Sequence, residues 1–135
     1  MEAQRICLDT TFLIDLLRDL PAALERARKF EETHCDLSTT SVNVFELHIG
    51  AVRSESAKRM TTLEALLADL RILGLGRREA EEAASIMVNL AKKGQPIEVR
   101  HALIAGCMLA NAYPSILTRN TRDFERITKI ETLSY

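Results

Sequence analysis

The feature that most constrains this chain is a repeated change of hydrophobic period. Short apolar runs alternate with longer segments whose apolar residues return every three or four positions. Residues 4–8 read as a strand and are followed at once by a helix from Thr10 to Arg18. Pro21 opens a helix over 21–32, with Ala23, Leu24, Ala27 and Phe30 on one face. Cys35 to Leu37 reads as a second strand, and the hydroxyls of Ser38 to Ser41 offer caps for a helix through Val52. A helix over 55–69 aligns Met60, Leu63, Leu66 and Leu67. Leu70 to Leu73 is a third strand, and Arg77 to Lys93 a helix that Gly94 terminates. Glu98 to Asn111 is helical, Ser115 to Leu117 a strand, Asn120 to Arg126 a short helix and Lys129 to Leu133 the last strand. Strands that alternate with helices predict an α/β domain, a parallel sheet of about five strands flanked by helices on both faces. Ligands of such sheets bind beyond the carboxyl ends of the strands.

Length and composition fit one domain over 1–135, able to bury a core without staples. No apolar run approaches the ~20 residues that span a bilayer, so no membrane segment is expected. The start MEAQRICLDTTFLIDLL does not read as a signal peptide. Cys7, Cys35 and Cys107 are odd in number and set among apolar residues, as expected of buried, reduced thiols in the cytoplasm. Net charge is −1, so no global basic field advertises nucleic acid, and any such contact needs a local patch. A nucleotide-binding α/β domain is disfavoured, because no glycine-rich phosphate loop is present.

Three carboxylates lie where charge is costly. Asp9 ends the run Ile6-Cys7-Leu8, Glu46 sits among Val44, Phe45 and Leu47, and Asp123 closes Thr118-Arg119-Asn120-Thr121-Arg122-Asp123. Asp9 is either the N-cap of the first helix or a metal ligand at a strand end. Asp15 reads as a surface carboxylate. Glu46 falls between Val42 and Ile49 in an apolar stripe that includes Phe45 and Val52. Burying a lone charge costs several kcal/mol, so either an ion pair, with Arg53 as partner, or a cation must accompany it. The cation is the preferred answer. Asn120 by itself reads as an N-cap and Asp123 as a first-turn acid.

Taken in series, Leu8-Asp9-Thr10-Thr11, the Ser41-to-Glu46 helix start, His101-Ala102-Leu103-Ile104-Ala105-Gly106 and the Thr118-to-Phe124 tail resemble a PIN domain of the VapC-toxin type. The likeness covers essentially the whole chain. It implies a Rossmann-related three-layer fold, Mg2+- or Mn2+-dependent endoribonuclease activity, a homodimer and a cognate antitoxin. It also implies that Asp9, Glu46 and Asp123 are the catalytic acids and that Asn120 joins them at the metal. Thr10 and Thr118 would orient their neighbours. Such members usually carry aspartate where this chain has His101. Imidazole is a poorer ligand for Mg2+ and suits Mn2+ or softer metals better. The site thereby loses a negative charge. His101 is either a metal ligand or a helix residue satisfied by hydrogen bonds, and Glu98, on the same helix face, either reaches in or is a first-turn acid. The alternative is therefore a catalytically weakened module that binds RNA or protein. If the chain is active, a metal-activated water attacks a phosphodiester in line and leaves a 3′-hydroxyl and a 5′-phosphate. Single-stranded or looped RNA is the expected substrate, with Arg119, Arg122 and Arg100 as phosphate contacts. Tyr113 and Phe124 are expected in the core.

Overall fold

The structure, a computed structural model, describes residues 2–135. In chain order it consists of β1 (Arg5–Leu8), α1 (Thr10–Leu17), α2 (Pro21–Thr33), β2 (Asp36–Thr40), α3 (Ser41–Ser54) and α4 (Ala57–Ala68). There follow β3 (Arg71–Leu73), α5 (Arg77–Lys92), α6 (Val99–Ala110), β4 (Ser115–Leu117), α7 (Thr121–Glu125) and β5 (Glu131–Leu133). The strands form one parallel sheet in the order β3-β2-β1-β4-β5. The order reverses at β1, and the crevice of such a sheet opens where the chain switches direction, here beyond the ends of β1 and β4. Asp9 follows β1 and Thr118 follows β4, so both stand at that crevice. The Asp9 N–H donates to the Leu117 carbonyl at 3.0 Å, which extends the ladder as far as the acid.

Alternate strand residues feed opposite faces. Cys7 and Ile116 pack with Ile86, Leu90, Ile104, Met108 and Phe124 on the α5–α6 side. Ile6, Leu8 and Leu117 pack with Phe12, Leu13, Phe30, Leu47 and Leu63 on the other. Tyr113 and Phe124 belong to the core, as the sequence suggests. Cys7 and Cys107 are buried and free, but Cys35 is only half-buried. Among the described residues no helix is long and apolar enough to cross a membrane.

Two local expectations are corrected. The second strand is not Cys35–Leu37 but Asp36–Thr40, so the hydroxyl run expected to cap a helix lies largely inside the sheet. Its polar side chains are buried yet satisfied. Ser38 Oγ donates to the Ile6 carbonyl at 3.3 Å and Thr39 Oγ1 to the Leu8 carbonyl at 2.8 Å. Thr40 alone caps α3, accepting from the Asn43 N–H while Asn43 Oδ1 accepts from the Thr40 N–H. The second correction concerns the apolar stripe of α3. Phe45 is 66% exposed and Val52 64%, and Ile49 also reaches the surface; α3 meets the cores through Val42 and Leu47 instead.

Candidate active site

Asp9 has the backbone position of an N-cap, but its side chain makes no capping bond. The carboxylate turns back into the protein, where it is 2% exposed. Asn43 Nδ2 donates to Oδ1 at 2.9 Å and Thr118 Oγ1 to Oδ2 at 2.6 Å, with the Thr11 hydroxyl 3.5 Å from Oδ2. These donors come from α3, the end of β4 and α1. All are neutral, and among the described residues no basic side chain pairs with Asp9. A buried carboxylate whose hydrogen-bond donors are all neutral has no cationic partner beside it, which suits a hard cation bound through oxygen. This donor chemistry fits a divalent ion.

Glu46 is tied to the same framework. Asn43 Nδ2 also donates to Thr10 Oγ1 at 2.9 Å, and Thr10 Oγ1 donates to Glu46 Oε1 at 2.9 Å. The second oxygen, Oε2, accepts from Arg100 Nη1 at 2.6 Å. The ion-pair partner is therefore Arg100 of α6 and not Arg53. Arg100 Nε donates in turn to Glu98 Oε2 at 2.8 Å. The Glu98 carboxyl lies below the ordinary glutamate value, held there first by Arg100 and then by the field of His101.

Asp123 anchors the far side. His101 Nδ1 lies 2.7 Å from Asp123 Oδ2, and the Glu98 N–H donates to that same oxygen at 3.0 Å. Burial tends to raise the Asp123 carboxyl, but these hydrogen bonds outweigh it and hold the group below the usual aspartate value. Potential ligand atoms of Glu98, His101 and Asp123 lie within 4.8 Å of one another. His101 is buried, its ring centroid 5.0 Å from that of Phe124. Because Nδ1 faces a carboxylate, it carries hydrogen, and a neutral ring offers a lone pair only at Nε2.

An open, polar cleft of about 270 Å³ is lined by Glu98, Arg100, His101 and the segment Arg119 to Asp123. Asn120 makes no side-chain cap bond to α7, and its backbone N–H donates to Thr118 Oγ1 at 2.9 Å. The loop is thus joined through one hydroxyl to Asp9. Arg119, Arg122 and Arg100 all open to solvent. Asp15 is not at the surface as expected but 2% exposed, bonded by Tyr135 Oη at 2.5 Å and by Arg119 Nε at 3.0 Å. Burial and that carboxylate push the Tyr135 hydroxyl up to about 12.

The expected acids thus form two sets, Asp9 with Glu46 and Asp123 with His101 and Glu98, and Arg100 bridges them. Sequence reasoning missed Asn43, which is fully buried and orients Asp9 and, through Thr10, Glu46. Its signal was present. Thr40-x-x-Asn43 has the spacing of a reciprocal cap, and a polar residue there adjoins the end of β2.

The family model of the PIN domain matches residues 6–130 of this chain. The tRNA(fMet)-specific endonuclease VapC of Shigella flexneri is 27% identical over 129 residues, 95% of this chain and 96% of that protein. The ribonuclease VapC of Rickettsia bellii strain RML369-C is 33% identical over 119 residues, 83% of this chain and 88% of that one. Among solved structures, DNA-bound VapBC from Salmonella typhimurium has a TM-score of 0.80 at 26% identity, over 97% of this chain and 98% of that chain.

Proposed function

Because this chain belongs to the PIN-domain family, among its VapC-type members, we propose that it is a cytoplasmic, divalent-cation-dependent endoribonuclease, the toxin of a toxin–antitoxin pair. The observation that carries the reading is Asp9, a buried carboxylate with only neutral donors at the switch point of the sheet. Asp9 and Glu46 would hold the ion, with Asp123, Asn120 and His101 completing its surroundings. The ion, Mg2+ or Mn2+, supplies a water of lowered pKa and positive charge for the scissile phosphate. Asn43 and Thr118 fix the direction of the Asp9 carboxylate, and Thr10 fixes that of Glu46. Arg119, Arg122 and Arg100 face the cleft, where they attract the backbone of single-stranded or looped RNA. His101 in place of a carboxylate favours Mn2+ over Mg2+.

Two protein partners belong to the reading. The exposed apolar groove beside Glu46, about 590 Å³ and lined by Phe45, Ile49, Leu75 and Val99, is the kind of surface that a second copy or an antitoxin covers. A second reading, a weakened relative that binds RNA or protein without cutting, is favoured by the His101–Asp123 pair and by Arg100 on Glu46. Cleavage of a structured RNA in Mn2+ and Mg2+ separates the two. Asp9→Asn keeps the shape and removes the charge, so it is expected to lower the rate on the order of a hundredfold or more. Equal cleavage by Asp9→Asn and the parent in every metal would end the enzyme reading.

A further inference from the structure

Arg100 occupies an electrostatically awkward place. It is the second residue of α6, where the helix dipole disfavours a cation. Two carboxylates from different elements nonetheless hold its guanidinium, Glu46 at 2.6 Å and Glu98 at 2.8 Å. The side chain is 49% exposed while that of Glu46 is 19% exposed, so the cation can swing outward but the acid cannot follow. Arg100 also lines both the polar cleft of Asp123 and the apolar groove of Glu46. The charge facing Glu46 is therefore a solvent-accessible one, already in place before any ion arrives. A divalent cation that takes Glu46 Oε2 as a ligand competes with Arg100 for that oxygen and is repelled by its charge. The displaced guanidinium lies beside Arg119 and Arg122, on the cleft where a phosphate backbone would run.

Resting on the nuclease reading, we propose that Arg100 is a resident counter-cation of the acidic site and that RNA phosphate draws it off Glu46. Metal and RNA then favour each other's binding through this one side chain. Coupling of this kind is reciprocal. The metal opens Arg100 to phosphate by the same factor that phosphate opens Glu46 to the metal. Without RNA, Arg100 keeps the site's affinity for the ion low. Glu98 supplies the second anchor that returns the guanidinium to rest. Arg100 is a positioning residue in this scheme, acting through Glu46.

The test is calorimetric titration of Mn2+ into the full chain, beside anisotropy of a labelled single-stranded RNA in EDTA. Arg100→Gln is expected to bind Mn2+ about five- to tenfold more tightly than the parent. In EDTA it should bind RNA more weakly, with the salt slope reduced by about 0.7 for one lost phosphate contact. A non-cleavable 2′-O-methyl RNA should tighten Mn2+ binding more in the parent than in Arg100→Gln. Arg100→Lys retains the charge and should stay near the parent in Mn2+ affinity, which separates charge from any loss of packing. Unchanged or weaker Mn2+ binding by Arg100→Gln overturns the proposal. Asp9→Asn is the control. If the parent binds Mn2+ and loses it with Asp9→Asn while Arg100→Gln changes nothing, only the counter-cation role falls. If the parent neither binds Mn2+ nor cuts RNA, the nuclease reading falls and takes the role of Arg100 with it.

Discussion

His101 is buried, bonded to Asp123 and one helical turn from Glu98, so its environment is already rich in negative charge. Replacing it by aspartate sets a third carboxyl group against two others. His101→Asp is therefore expected to melt at a lower temperature than the parent in EDTA and to gain more from added Mg2+. The gain follows the ratio of ion concentration to dissociation constant, and thermal melts with and without Mg2+ read it directly. An equal Mg2+ increment in both proteins would place position 101 outside the ion's reach. At this scale the sequence was informative about which residues matter but poor about whom they touch. Asp9 stood out as an acid at a strand end, while its choice between cap and ligand depended on Asn43 and Thr118, whose proximity only the fold creates. Asp15 was misjudged for the same reason. Nothing local indicates that Arg119 and Tyr135, remote in sequence, enclose it.

Among the elements, α5 and α6 make the closest packing, and Gly106 is what permits it. A Cβ at 106 would meet the Glu79 carbonyl oxygen and stand 2.8 Å from both Ala83 Cβ and Ala83 N, all belonging to the facing helix. Alanine favours a helix over glycine by about 1 kcal/mol. Overpacking of a core contact costs typically about 1–3 kcal/mol, and the neighbouring atoms include backbone that cannot yield. Gly106→Ala should therefore lower stability in urea unfolding despite its better propensity. The start of α5 is one source of acid sensitivity. Glu79 lies below its ordinary value of 4.5, led by its own backbone N–H; burial opposes this, and the Asn111 amide and Gly76 N–H add to it. A carboxyl depressed on folding contributes stability that is fully present above the unfolded value and lost as pH falls through the folded one. The stability gap between the parent and Glu79→Gln should accordingly close below about pH 4.5 in denaturant melts. Helices and strands were legible because their periods differ, with ends displaced by a residue or two except at β2, which ends three residues later than expected. The face of α3 was not. Val42, Phe45, Ile49 and Val52 have core spacing, but no period reveals that Asn43 and Leu47 are buried with Val42 partly so, while Phe45, Ile49 and Val52 face outward.

For the molecule as a whole, alternation of strand and helix dictated a parallel sheet, but not its order. That order matters most, because it brings residue 9 beside residue 118 and makes the crevice. Pairing of distant strands is decided by cores on both faces, to which many residues contribute a little each, and no short motif encodes it. One consequence concerns motion. The Asp9 amide is the last rung between the central strand β1 and its neighbour β4, bonded to Leu117 with a buried carboxylate above it. Its proton should exchange with deuterium only as slowly as the whole protein unfolds, whereas the amides of 119–122 should exchange through small local openings. The anionic floor of the crevice is thus as immobile as the fold itself. Any adjustment to an incoming ion or strand of RNA has to be made by the arginines along its rim.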